Sequence, residues 1–314
     1  MDSKLLNRSN LLSGSKQVLS FLPFLLLWCG LPSSVSAQSK KEKQDWVTLF
    51  NGKDLTGWDI KISGHPLNEN YKNTFQVEKG MLRIRYDAYQ NFEEKYGHLY
   101  YKTAYSHYRI RFQYRFTGKQ TPGGAEWNVR NSGIMLHSQS AESLDFHQTF
   151  PMSLEMQLLG GLGTGERQTG NLCSPGTQAF MQGALNPAHC INSNSKTYDG
   201  DQWVSAEAIV LGDSIVHHVI EGDTVLTYMK TQIGGGFVNP DEWELAKMEP
   251  QTIAHWKSLD GSPLTSGYIA LQAESHPIDF RNIQLLNLVG CMDPKAKNYK
   301  SYYLKSDPNA CRFN

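Results

Sequence analysis

Three short segments place carboxylates, amides and an imidazole at alternate positions. In Ser153-Leu-Glu-Met-Gln-Leu-Leu159, an extended chain puts Ser153, Glu155 and Gln157 on one face and Leu154, Met156 and Leu158 on the other. In Tyr268-Ile-Ala-Leu-Gln-Ala-Glu274, Tyr268, Gln272 and Glu274 share a face opposite Ile269, Leu271 and Ala273. In Ser132–Gln139, Gly133, Met135, His137 and Gln139 oppose Ile134 and Leu136. If the three segments are neighbouring strands, His137, Glu155, Gln157, Gln272 and Glu274 line one sheet face. Amides and carboxylates fork onto hydroxyl pairs, and an aromatic such as Tyr268 or Trp127 stacks on a sugar ring. Paired carboxyls with an imidazole also provide a general acid and a general base. Glu155, Glu274, His137 and His276 are therefore the candidate catalytic groups.

A single Glu on the open face of an antiparallel strand is ordinarily just solvated; it is the coincidence on three segments that marks these. His276 precedes Pro277 and reads equally as a turn residue. Gln157, Gln272, Tyr268, Trp127, Asn131 and Arg281 are the candidate substrate-binding residues, although Arg281 could pair with Asp279 at a sheet edge.

Strands must position these groups. From Asp45 to Leu288 the chain shows short alternating runs separated by Gly, Asn, Asp and Pro. Tyr108–Phe116 alternates without a break: Tyr108, Ile110, Phe112, Tyr114 and Phe116 on one face, Arg109, Arg111, Gln113 and Arg115 on the other. Further strands are expected at 74–77, 81–86, 98–101, 204–211, 214–220, 224–229 and 280–287. So many short strands predict an all-β fold, a two-sheet jelly-roll sandwich. Long loops are expected at 160–200 and 230–265, with one short helix at 241–248; loops of that length carry a site or a lid. Gly160-Gly161-Leu162-Gly163-Thr164-Gly165 lacks the Lys-Ser/Thr ending of a phosphate loop, so it reads as flexible backbone and no nucleotide cofactor is expected.

The first 37 residues read as an export signal: Lys4, Arg8 and Lys16, an apolar run from Val18 to Leu31, then Val35-Ser36-Ala37 as a cleavage site. That run falls short of the roughly 20 residues that span a bilayer, and no later segment could cross one. Residues 38–44 form a linker. Trp28 stands before Cys29 where a lipidation site wants a small residue, so a periplasmic or secreted protein is expected rather than a lipoprotein. Of five cysteines, Cys173, Cys190, Cys291 and Cys311 then remain. They allow three pairings, of which Cys173–Cys190 and Cys291–Cys311 close the shortest loops. Residues 289–314 form a Cys-bounded tail, where Asp293 and Asp307 offer an alternative reading as calcium ligands. The 30 Lys and Arg balance 30 Asp and Glu. Zero net charge argues against nucleic acid and against an anionic membrane surface, while a neutral carbohydrate ligand is compatible with it.

Taken together, Trp46-Val-Thr-Leu-Phe-Asn-Gly-Lys-Asp-Leu-Thr-Gly-Trp58, Asn131-Ser-Gly-Ile-Met-Leu136, Leu154-Glu-Met-Gln-Leu158, Gly267-Tyr-Ile-Ala-Leu-Gln272 and Phe280-Arg-Asn-Ile283 resemble the 3-keto-disaccharide hydrolase domain family. The resemblance covers Asp45 to Leu288 and implies a concanavalin A-like jelly roll acting on glycosides oxidised at C3. The tail resembles short Cys-bounded motifs of exported Bacteroidetes-type proteins. A C3 ketone acidifies the C2 proton, so such a glycoside can lose its C1 substituent by elimination, after which water adds. That route needs a base (Glu155 or Glu274), an acid near the leaving oxygen (His137 or His276) and an electrophile for the enolate. A divalent metal could be that electrophile, with no ligand set to assign. Two other readings stay open. One is a secreted glycan-binding module without catalysis. The other is a laminarinase-type retaining glycosidase, whose second carboxylate on the same strand is replaced here by Gln157 and Gly160.

Overall fold

The computed structural model describes residues 43–237 and 242–313. The leader expected at 1–37, with Cys29, and most of the linker at 38–44 lie outside the described residues.

The described body is a two-sheet jelly-roll sandwich, with antiparallel sheets of ten and seven strands. Alternation decides which side chains fill it. Along His107–Phe116, Tyr108, Ile110, Phe112, Tyr114 and Phe116 are all buried in the core. The intervening residues find partners on the outer face: Arg109 pairs with Glu207 at 2.5 Å and Arg115 with Asp279 at 3.0 Å. Leu154, Met156 and Leu158 of the opposing sheet enter the same continuous core. Burial of such interdigitating apolar faces is what drives two sheets together.

The seven-stranded sheet runs in the order Cys190–Ile191, Asn171–Cys173, Leu154–Leu159, Asn131–Ser138, Gly267–Ala273, Gly97–Tyr105, Trp58–Ile62. The three segments expected to neighbour one another are thus adjacent at its centre. Glu155 stands opposite Met135, and Met135 opposite Ala270.

The structure differs from expectation in the two long loops. The 160–200 segment holds four short strands, Asn171–Cys173, Thr177–Met181, Ala184–Asn186 and Cys190–Ile191. Runs of two to five residues are too short to show a period, and two of these are stapled by the Cys173–Cys190 disulfide. In the second loop the helix is Pro250–Ser258, entered through a proline at its start, with a single 3₁₀ turn at Glu244–Ala246. The tail is closed by Cys291–Cys311 and by a short parallel pairing of Val289–Gly290 with Lys305–Ser306. Tyr302 and Lys300 tie it to Asp45. Asp293 and Asp307 each cap their own turn, accepting from the backbone N–H of Lys295 and Asn309. No described helix is long and apolar enough to cross a membrane.

Candidate active site

The outer face of the seven-stranded sheet is roofed by loops, and between roof and sheet lies a cavity of about 580 Å³. Glu155, Gln157, Asn131 and Glu274 form its floor, Arg167 its cationic side, and Trp127 stands in its wall. Three neighbouring strands supply the floor through simple parity, since Leu154, Met156 and Leu271 are committed to the core on the other side.

The strand between the two carboxyl groups leaves room for Glu155, because Gly133 has no side chain there. Glu155 bends over Gly133, and a Cβ built at Gly133 would lie 2.4 Å from Glu155 Oε1. Glu274 approaches from the far side, just beyond the Gly267–Ala273 strand. Both are buried, Glu155 at 7% and Glu274 at 2% exposure, and Glu274 Oε2 has no hydrogen-bond partner in the protein. Burial raises Glu155 above the usual glutamate range. Burial raises Glu274 too, the negative charge of Glu155 raises it again, and the Arg167 guanidinium pulls partly the other way. Two such carboxyls cannot readily ionise together, and each holds its proton to higher pH than a free glutamate.

Asn131 is anchored by its Nδ2 donating to the Trp127 carbonyl at 3.2 Å, leaving its Oδ1 unpartnered. Gln157 accepts from Asn171 Nδ2 at 3.0 Å. Arg167 is the residue that sequence reasoning missed. It lies in the 160–200 loop, just past the glycine run read as flexible backbone, where a single Arg carries no periodic signal. Its Nη1 donates to the carbonyls of Gly160 and Arg130, fixing the guanidinium at the cavity edge. Glu94 and Lys247, also missed, pair with each other at the mouth. Cys173 and Cys190 line the wall beside Glu155, with Cys173 directly opposite it in register.

Five expected site residues lie elsewhere. His137 sits at a β-bulge: between Tyr268↔Ser138 and Ala270↔Met135, two residues of one strand oppose one of the other. Its φ of 47° turns the ring to the sandwich interior, 5.8 Å from the Tyr108 ring and against the carbonyls of Leu264 and Ser106. Gly267 makes this possible, since a Cβ there would meet the His137 backbone at 2.4 Å. His276 is buried edge-on to Phe116 and does not line the cavity; burial and the nearby Arg130 charge lower it to about 4. Gln272 is on the expected face but fully buried beside His98, with neither amide atom hydrogen-bonded. Tyr268 lines a separate groove with Trp256 and Gln139. Arg281 is on the other sheet, its guanidinium 3.9 Å over Trp203 and its Nε donating to Gln113. Parity predicted the outward direction of Tyr268 and Arg281, but not which sheet or which end they would occupy.

Among the described residues no group of three His, Cys, Asp or Glu side chains converges as a metal site would require. Glu94 and His189 also line the cavity, but neither converges with the two carboxyls, which have Arg167 as a charged neighbour. The donor set does not fit a dedicated divalent-metal site.

The fold and this roofed pair of carboxyls define a two-sheet jelly roll with a carboxyl-lined cavity on one outer face. The chain belongs to the family of 3-keto-α-glucoside-1,2-lyase-like domains, whose model matches residues 45–286. A search of curated proteins finds no match. Among solved structures, a candidate glycosyl hydrolase from Parabacteroides distasonis is 17% identical with a TM-score of 0.44, over 77% of this chain and 93% of that one. The carbohydrate-binding module CBM66 from Bacillus subtilis is 10% identical with a TM-score of 0.39, over 74% and 96%. LamAcat from Zobellia galactanivorans is 7% identical with a TM-score of 0.40, over 73% and 91%.

Proposed function

We propose that this protein is a carbohydrate-active enzyme that cleaves 3-keto-glycosides by elimination followed by hydration. The observation that carries the reading is a pair of buried carboxyls in one cavity, Glu155 leaning over Gly133 and Glu274 raised further by the charge of Glu155. Membership of the family supports it. Glu155, the more accessible of the two, takes the C2 proton, and the C–H electron pair forms an enolate with the charge on the C3 oxygen. The enolate returns to the ketone as the C1=C2 bond forms and the C1–O bond breaks. The departing oxygen receives the proton of Glu274. Water then adds, hydroxyl to C1 and proton to C2, releasing a free 3-keto sugar; without that addition the product is the enone and the enzyme is a lyase. Arg167 donates toward the developing enolate charge, and Asn131 and Gln157 hold ring hydroxyls.

The same pair favours a second reading. A second carboxyl comes from just beyond the strand two places across the sheet, so ordinary two-carboxyl hydrolysis has its groups as well. Incubation with a 3-keto-glucoside and with its unoxidised parent, each with and without a chelator, separates the readings. Turnover of the keto compound alone is expected. Cleavage of the parent instead selects ordinary hydrolysis, and saturable binding of either without turnover selects a glycan-binding module.

The two disulfides support an oxidising compartment. Export through the 1–37 leader is part of this proposal, and N-terminal sequencing of the secreted or periplasmic protein should begin at Gln38; a retained Met1 would overturn it.

A further inference from the structure

The cavity has two chemically distinct ends. Its floor is the carboxyl, amide and guanidinium set described above. Its mouth is mostly apolar: the Trp127 ring lies nearly parallel to Tyr96, 9° apart with centroids at 6.2 Å, and Phe150 packs against Tyr96 at 4.7 Å and Trp127 at 6.5 Å. Leu245 stands on the same cavity. Trp127 and Leu245 are 54% and 55% exposed. Large apolar side chains left open on the rim of one cavity mark a surface that a ligand covers. The polar groups there are few. Glu94 and Lys247 satisfy each other, and the Thr149 hydroxyl is buried without reaching a partner. A hydroxylated ring seated at the mouth would lose water against rings and aliphatic carbons with few groups to replace it, which costs free energy. An apolar group seated there gains by leaving water.

Resting on the reading of the floor as a 3-keto-glycoside site, we infer that the group expelled from C1 is an apolar aglycone, aromatic or alicyclic, and not a second sugar. The keto sugar occupies the floor, and the aglycone lies between Trp127 and Leu245 in a cavity of about 580 Å³, within the about 300–1,000 Å³ of drug-sized sites.

The test compares two 3-keto-glucosides that expel primary alkoxides of similar basicity, one of cyclohexylmethanol and one linked to the 6-hydroxyl of glucose. We expect kcat/KM at least tenfold higher for the cyclohexylmethyl compound, and Trp127→Ser and Leu245→Ser should each pull that ratio toward 1. Equal or higher kcat/KM on the sugar-linked compound would overturn the aglycone inference while leaving the 3-keto reading intact. If neither compound turns over, the floor reading fails, and the mouth is tested by itself through tryptophan fluorescence. Saturable quenching by cyclohexylmethanol that glucose does not reproduce, and that Trp127→Ser abolishes, supports the apolar mouth; its absence overturns it.

Discussion

Glu155 and Glu274 are each unremarkable as single residues, and their chemistry comes from sharing a buried space. Replacing either with Gln keeps shape and removes the titrating proton. Glu155→Gln and Glu274→Gln should each lower kcat on a 3-keto-glucoside by about 10²–10⁴ with an unchanged circular dichroism spectrum; full activity in both would show that the chemistry lies elsewhere. The pair also shapes stability against pH. Because burial raises the native-state values, the folded protein holds protons that the unfolded chain releases above about pH 4.3. Where the native state binds more protons, stability falls as pH rises. Tm should therefore decline from that pH upward through the raised native range, and Glu155→Gln should flatten the decline. A wild-type Tm that rises over this window would contradict the raised values.

At the scale of elements, the site depends on one residue that lacks a side chain and on one covalent staple. Gly133→Ala leaves the strand intact but pushes a methyl group into the space of the Glu155 carboxyl, which must rotate away. Activity should fall at least tenfold while Tm changes by little, and a Gly133→Ala enzyme with wild-type kcat would show that the approach of the carboxyls is dispensable. The Cys173–Cys190 bond closes a loop of sequence separation 17 next to Glu155. A double Cys→Ser variant should lose about 3 kcal/mol by urea unfolding on the loop-entropy estimate. It should also lose activity, since Pro175 and His189 in that loop line the cavity. Strand parity made both carboxyls legible in the sequence, because each follows an apolar core residue by one position. The bulge at His137 was not legible: one inserted residue inverts the facing of everything beyond it, and no feature of Ser132–Gln139 announces the insertion.

At the scale of the molecule, the tail and the cavity are separate assignments. No residue of 289–313 lines the cavity, while the tail buries Cys291, packs Tyr303 against Gly290 and reaches Asp45 near the start of the body. A chain ending at Leu288 should keep kcat/KM within about twofold and lose Tm by about 2–4 °C for each kcal/mol of lost contact. Loss of activity at a temperature where the shortened chain is still folded would instead tie the tail to the site.

The sequence by itself determined the all-β sandwich, the inward and outward faces of its regular strands and the family. These follow from local rules: period-two alternation and motif identity within contiguous segments. Only the tertiary structure decided that Glu155 and Glu274 share a cavity while His137, His276, Gln272, Tyr268 and Arg281 do not line it. That choice rests on a bulge, on the roofing loops and on which sheet each strand joins. Arg167, Glu94 and Lys247 come from those loops, where position is set by long-range packing and no repeating pattern records it.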